Sequence, residues 1–212
     1  MKNIIIACND VFGLEVYSIL KEVNNWYKRR KEESIYNIIG YISDSEKPFG
    51  KFDGFIPRLG SIEEWTPLKE GETYVLGILK PESKQQTVES LTKKGCCFEM
   101  VRTPWVLSPP IKIGVGSFVA AYSIKGGMKI GNYVTLIESM LTSRSIGDYS
   151  TVLRFSNITG NIGKSVFIGN HVYSHLGKTI GDNAYVMDGS IVVKDIKPGI
   201  TVAGVPARKA RK

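Results

Sequence analysis

Residues 162–197 read IGKSVF, IGNHVY, SHLGKT, IGDNAY, VMDGSI, VVKDIK, six hexads in unbroken phase. An apolar residue opens every hexad except the third, and Val or Ala often takes the fifth position. Self-similarity at a fixed period marks a repeat architecture. A period of six with aliphatic-glycine openings predicts a parallel β-helix, with three hexads closing a triangular coil of about 18 residues. Such coils stack at the inter-strand spacing of about 4.8 Å. Working back towards the N-terminus, Ile-Gly recurs at 113, 130 and 146. Ile146, Val152 and Ile158 keep step, and Ile162 then arrives two residues early. Slips of this kind put loops at the corners, where function concentrates.

Residues 1 to about 104 follow a different grammar. Asn3–Cys8 is a continuous apolar run, typical of a parallel strand buried on both faces. Val16, Ile19, Leu20, Val23 and Tyr27 form a helical stripe. Tyr36–Ser43 and Thr73–Leu79 read as the next strands, Ser83–Lys94 as a helix and Cys97–Val101 as a fourth strand. The prolines of Thr103–Pro110 end this region. The expected organisation is therefore α/β plus β: a small Rossmann-like domain over 1–104, then a β-helix with a basic tail over 105–212. The loop after the first strand, CNDVFG, keeps only Gly13 of a G-x-G-x-x-G pattern, and Asp10 there would repel a phosphate. An NAD site is not expected. Gly13 remains a candidate for substrate contact. Asp44, at the end of the second strand, stands where an acid accepts hydrogen bonds from a ribose or base; a turn cap is its equal alternative.

The bulk numbers exclude several classes. The chain has 212 residues, 42% apolar and 23% charged, the balance of a soluble globular protein. No apolar run approaches the ~18 residues of a membrane span, and MKNIIIACND is not a signal peptide, so a cytoplasmic location is expected. Three cysteines, Cys8, Cys96 and Cys97, make no disulfide framework and no metal-ligand spacing, and a packing role is expected of them. Net charge is +8, part of it in the tail ARKARK, which is either a solvated terminus or a landing site for an anionic ligand. No basic stripe interleaved with aromatics suggests nucleic acid.

Residues 162–208 resemble, hexad for hexad, the C-terminal part of bacterial hexapeptide-repeat acyltransferases. The ending IKPGITVAGVPARK, with its Pro-x5-Gly-x-Pro-Ala-Arg pattern, is the most specific piece. The whole plan is similar to the sialic-acid O-acetyltransferase and bacillosamine-type sugar N-acetyltransferase group. That resemblance implies a left-handed β-helix, a homotrimer, and acetyl-CoA as co-substrate in a cleft between neighbouring β-helices, with no metal. It also implies a sugar acceptor, in this group a sugar nucleotide held partly by the N-terminal domain. Gly169, Lys178, Gly181 and Arg208 become the candidates for contact with CoA. The glycines have a second reading, since tight hexad geometry needs them anyway.

The resemblance also marks departures. The group's general base is a histidine about four residues before an Ile-Gly pair; on Ile146-Gly147 that position is Thr142. The glutamate that follows is Ser143, and a second histidine falls on Thr151. Acyl transfer from a thioester needs a nucleophile with a free lone pair, and imidazole suits the task because it titrates near neutral pH. The only imidazoles are His171 and His175, and with Ser174 they depart from ordinary hexad composition. Either one is a candidate base moved to a new place, with Asn170 or Asp182 to orient it, or both are polar rungs of the wall. Glu138 is a third candidate base, its alternative being an ion pair with Arg144. A non-catalytic pseudo-enzyme or scaffold subunit, and an enzyme with a different acyl donor, are the competing functions.

Overall fold

A computed structural model describes residues 1–68, 71–106, 111–124 and 127–210. The chain divides into two compact units, Met1–Leu79 with Ser83–Pro104, and Lys80–Glu82 with Trp105–Lys212. Residues 107–110 of the proline-rich break and the last two residues of the basic tail lie outside the described residues.

In the first unit, β1 (Lys2–Cys8), β2 (Tyr36–Ile42), β3 (Arg58–Gly60) and β4 (Glu72–Gly77) form a parallel sheet in the order β3-β2-β1-β4. Ile4, Ile5 and Ile6 are all fully buried, so both faces of β1 are covered, as its unbroken apolar run requires. Helix α1 (Phe12–Arg29) joins β1 to β2 and buries Val16, Leu20 and Val23 along one stripe. Helix α2 (Pro81–Lys93) starts at Pro81, a first-turn position that has no use for an N–H. Two sequence expectations need correcting. The third expected strand is shorter, ending at Gly77. The fourth breaks into a single bridge, Tyr74 to Phe98, held by Tyr74 N–H to Cys97 O (2.9 Å) and Glu99 N–H to Tyr74 O (2.9 Å), and a separate short strand, Val101–Arg102. Cys97 is exposed, unlike the buried Cys8 and Cys96, so the packing role expected of all three holds for two.

In the second unit, parallel strands stack into three flat columns. One runs Phe118–Ala120, Thr135–Ile137, Thr151–Val152, Phe167–Ile168, Tyr185–Val186 and Thr201–Ala203. A second runs Ser123–Ile124, Met140–Leu141, Asn157–Ile158, Tyr173–Ser174 and Ile191–Val192. The third starts with Lys112–Ile113, Lys129–Ile130 and Ser145–Ile146 and continues through single bridges at Ile162, Ile180 and Ile196. The opening and fifth residues of the hexads point inward, Lys178 excepted, and the buried aliphatics make one continuous core. Within the strict stretch, partners such as Phe167 and Tyr185 follow the expected coil length; elsewhere coils are shorter, as with Thr135 and Thr151. The early arrival of Ile162 has a cause. The corner at 159–161 is cut short where Gly160 passes under the carbonyl oxygen of Lys178, a place with no room for a Cβ.

The remaining hexad positions are explained by hydrogen bonding. Asp148 Oδ1 accepts the Asn132 N–H (2.8 Å), Asp182 Oδ1 that of Lys164 (2.8 Å), Asp188 Oδ1 that of Asn170 (2.7 Å) and Asp195 Oδ1 that of Thr179 (2.9 Å). Each carboxylate thus satisfies a corner of the preceding coil, whose N–H would otherwise lack a partner. A Cβ on Gly131, Gly163 or Gly169 would collide with one of these oxygens. The fourth position turns the corner with positive φ: Tyr133 (57°), Tyr149 (63°), Ser165 (52°), His171 (54°) and Asn183 (56°). At the end of the stack, Thr201–Ala203 turns back antiparallel onto Arg208–Lys209.

Candidate functional site

A cleft of about 520 Å³ in the first unit is lined by Asn9, Asp44, Ile62, Glu63, Ser83, Gln86, Thr87 and Ser90. It lies beyond the carboxyl ends of β1 and β2, where parallel sheets place their ligands. Asn9 Oδ1 accepts from the Asp44 N–H (3.1 Å) and the Ser43 hydroxyl (3.3 Å), and so ties the two strand ends together. Asp44 Oδ1 accepts the Glu63 N–H (2.9 Å). Its lining holds two carboxylates and no cation, so it suits hydroxyls and amides and repels phosphate. Asp10 Oδ1 takes the Phe12 N–H (2.9 Å) at the start of α1, the position an anion would need. Gly13 is buried; a Cβ there would stand 2.5 Å from Cys8 Sγ. Its lack of a Cβ lets α1 pack closely on β1. Burial first, then nearby Asp10, pushes the Cys8 thiol up to about 12, so it stays protonated and inert.

The two histidines occupy different places. His171 turns a corner in the left-handed region and stacks on Phe155 (centroids 5.0 Å, planes 26°). His175 follows the second column; its N–H donates to Val192 O (2.9 Å), and its ring meets Tyr173 edge-on (6.0 Å). Neither ring nitrogen has a protein hydrogen-bond partner among the described residues. The proposed orienting groups are engaged elsewhere: Asp182 caps Lys164, and Asn170 Nδ2 donates to Asp188 Oδ2 (3.5 Å). Ser174 points inward, fully buried, and its hydroxyl accepts the Thr159 N–H (2.9 Å). A hydroxyl replaces the usual aliphatic because this shortened corner leaves that N–H without a ladder partner. Glu138 pairs with Arg154 (3.6 Å), not with Arg144 as its alternative reading supposed, because both lie on the same corner.

Thr142, Thr159 and His175 stand on successive rungs of one edge. Thr142 N–H donates to Ile158 O (3.0 Å), and Thr159 Oγ1 donates to His175 O (2.9 Å). Two adjoining clefts, of about 410 and 270 Å³, open on this edge, lined by Thr142, Ser143, Arg144, Thr159, Asn161 and Gly177 among others. Thr151, the position of the second expected histidine, is completely buried.

Of the residues considered for CoA, Gly169 is buried beneath Asp188, and a Cβ on Gly181 would press on the Pro198 nitrogen, so both glycines are required by the stack. Lys178 is half-buried, in the field of Asp195. The carboxyl of Asp195 is held below the usual carboxylate range by its hydrogen bond from the Thr179 backbone, with Lys178 adding a smaller pull. Arg208 lines a cleft of about 370 Å³ together with Lys194, Lys197 and Lys209 over a floor that includes Ile196, Ile200 and Val202. Sequence reading included Lys209 in the basic tail but missed Lys194, Lys197 and Arg144 as site residues. The missed signal is the charge distribution. Residues 1–104 carry 15 Lys and Arg against 15 Asp and Glu, and residues 105–212 carry 13 against 5, so the whole net +8 belongs to the β-helix half. Its acids are committed, four as corner caps and Glu138 to Arg154.

No family model matches the chain. Solved structures match it over nearly its whole length. WeeI from Acinetobacter baumannii AYE superposes with a TM-score of 0.80 at 22% identity, over 98% of this chain and 100% of that one. The acetyltransferase domain of PglB from Neisseria gonorrhoeae FA1090 gives 0.71 at 18%, over 99% and 100%. A mutant of GDP-perosamine N-acetyl transferase from Caulobacter crescentus, in complex with CoA and GDP-perosamine, gives 0.75 at 16%, over 100% and 98%. A galactoside O-acetyltransferase of Escherichia coli (strain K12) is 54% identical over 50 residues, 24% of this chain. That match spans 25% of the relative's length. The fold is therefore shared with solved acetyltransferases along both units. Among the described residues, no helix is long and apolar enough to cross a membrane, and no group of three or more His, Cys, Asp or Glu is placed to hold a metal ion.

Proposed function

We propose that this protein is an acetyl-CoA-dependent acyltransferase acting on a sugar or a nucleotide-activated sugar, built as a Rossmann-like domain followed by a left-handed β-helix. The observation that carries this reading is the match of solved acetyltransferases across both units, one of them a GDP-perosamine N-acetyl transferase. The local identity to galactoside O-acetyltransferase and the charge excess of the β-helix support it. Acetyl-CoA supplies the acetyl thioester. Its phosphates fit the cleft of Lys194, Lys197, Arg208 and Lys209, where the single carboxylate, Asp195, is already engaged by Thr179. The acid-lined cleft of the first unit suits the hydroxyls and base of a nucleoside.

His175 is the base in this reading. It is exposed and shares an edge with Thr142 at a separation of two rungs, about 10 Å at the usual strand spacing. Its imidazole takes the proton from the acceptor hydroxyl or amine as that oxygen or nitrogen bonds to the acetyl carbon. The proton then passes to the departing sulfur, and the imidazole returns neutral. The same reading makes the protein a cytoplasmic homotrimer, its exposed Met140, Phe155 and Tyr173 lying on faces that copies would cover.

The test follows thiol release from acetyl-CoA, with calorimetry alongside. His175→Ala is expected to lower kcat on the order of 10²- to 10⁴-fold with acetyl-CoA affinity unchanged, and His171→Ala to leave kcat unchanged. Equal activity in both variants removes His175 from the mechanism. Wild type that binds no acetyl-CoA refutes the reading. It would favour the non-catalytic alternative, to which Thr142 at the expected histidine position already points.

A further inference from the structure

The edge that carries Thr142, Thr159 and His175 also carries a guanidinium that makes no ion pair among the described residues. Arg144 is exposed and lines both clefts on that edge. Glu138, the one glutamate of the β-helix half, lies on a different corner and pairs there with Arg154 (3.6 Å). Neither cleft has a carboxylate in its lining. What faces them is a set of donors. Asn161 Oδ1 accepts the Arg144 N–H (3.3 Å), which leaves the amide NH2 of Asn161 available to a ligand. Thr142 adds an exposed hydroxyl. Ser143 is buried, its hydroxyl donating to Gly160 O (2.6 Å), and this fixes the floor under Arg144. The nearby Thr159 hydroxyl is also committed, to main-chain oxygens.

We infer that Arg144 and Asn161 form an oxyanion subsite for the acceptor, and that they select a sugar whose reacting ring carries a carboxylate or a phosphate. Guanidinium presents paired N–H donors in a plane, the geometry that a carboxylate or phosphate meets with two bonds. An ammonium-bearing ring would meet a cation and two donors there, and no acceptor carboxylate. The subsite discriminates by charge and lies on the edge assigned to acyl transfer, so this inference rests on the acyltransferase reading for its purpose. Its binding chemistry stands by itself.

The test measures binding of three sugars to the full chain by ligand-observed NMR: glucuronate, glucose 6-phosphate and glucose. Wild type and Arg144→Gln are compared, with Arg144→Lys as the conservative variant. Acetyl-CoA affinity is measured on each by calorimetry. The expected result is that one anionic sugar binds wild type on the order of tenfold more tightly than glucose, the usual worth of a charge-assisted pair. Arg144→Gln abolishes that preference, and Arg144→Lys restores part of it. Preference for glucuronate alone identifies the carboxylate, and preference for glucose 6-phosphate alone the phosphate. Equal binding of all three, or a preference that survives Arg144→Gln, overturns the inference. A loss of acetyl-CoA affinity in Arg144→Gln as large as the loss of anionic sugar also overturns it, since Arg144 would then serve the donor. Wild type that binds the anionic sugar through Arg144 but not acetyl-CoA supports the subsite while defeating the acyltransferase reading.

Discussion

Carboxylates serve opposite ends in the two units. In the first, Asp44 and Glu63 face the cleft beyond the sheet and Asp10 covers the start of α1, so acids stand where a ligand would approach. In the β-helix, Asp148, Asp182, Asp188 and Asp195 are turned along the stack to hold backbone N–H groups, and the cations are left outside. Net charge alone conceals this, because one half is neutral and the other carries all of it. In the proposed reading, the first unit's cleft takes hydroxyls and amides, and the β-helix takes anionic groups.

The contrast can be broken most severely at Gly160. Gly160→Ala pushes a methyl into the Lys178 carbonyl, and the expected loss in chemical denaturation is at least about 3 kcal/mol. Gly54→Ala in the first unit meets no atom within 4 Å and suffers only the strain of φ +97°, about 1–2 kcal/mol. Equal losses would show that the short corner is not under packing constraint. Asp182→Ala tests the caps. Removing a charged acceptor from the Lys164 N–H should lower stability by about 1–2 kcal/mol without exposing core, so the denaturant m-value should not change.

A pH-dependent effect comes from Lys84, the one charged side chain among the described residues that is completely buried. Burial lowers its pKa to about 7, from 10.5. The unfolded chain therefore holds the proton over a range where the folded one has released it, and stability should rise between about pH 7 and 10.5. Thermal unfolding of wild type and Lys84→Met across that range reads the difference. A wild-type curve no steeper than the variant's would show that Lys84 keeps its proton when buried.

Much of this architecture is legible in the sequence because a hexad repeats the same physical demand: an inward aliphatic, a glycine under a capping Asx, and a residue that tolerates positive φ. His171 looks anomalous as a letter and ordinary as a corner residue, since Tyr133, Tyr149 and Asn183 do the same work. Ser174 becomes intelligible only when the shortened corner is seen to strand the Thr159 N–H. In the α/β unit the long strands β1 and β2 could be read, whereas β3 could not. Three partly exposed residues carry too little apolar signal to be told from a loop. The importance of Arg144 depends on which arginine Glu138 pairs with, and that is settled by the corner both Glu138 and Arg154 occupy rather than by spacing.

The capping carboxylates also impose an order in time. Asp148 lies 16 residues beyond the Asn132 N–H that it holds, and Asp182 lies 18 beyond that of Lys164. During synthesis, a corner leaves the ribosome before its cap has been made. Each coil must wait for its successor, so the wall grows in one direction, and the newest coil is always the least secure. A ribosome that stalls within the repeat would leave an unfinished end with free amides and open apolar strands, the material from which intermolecular β-stacking begins.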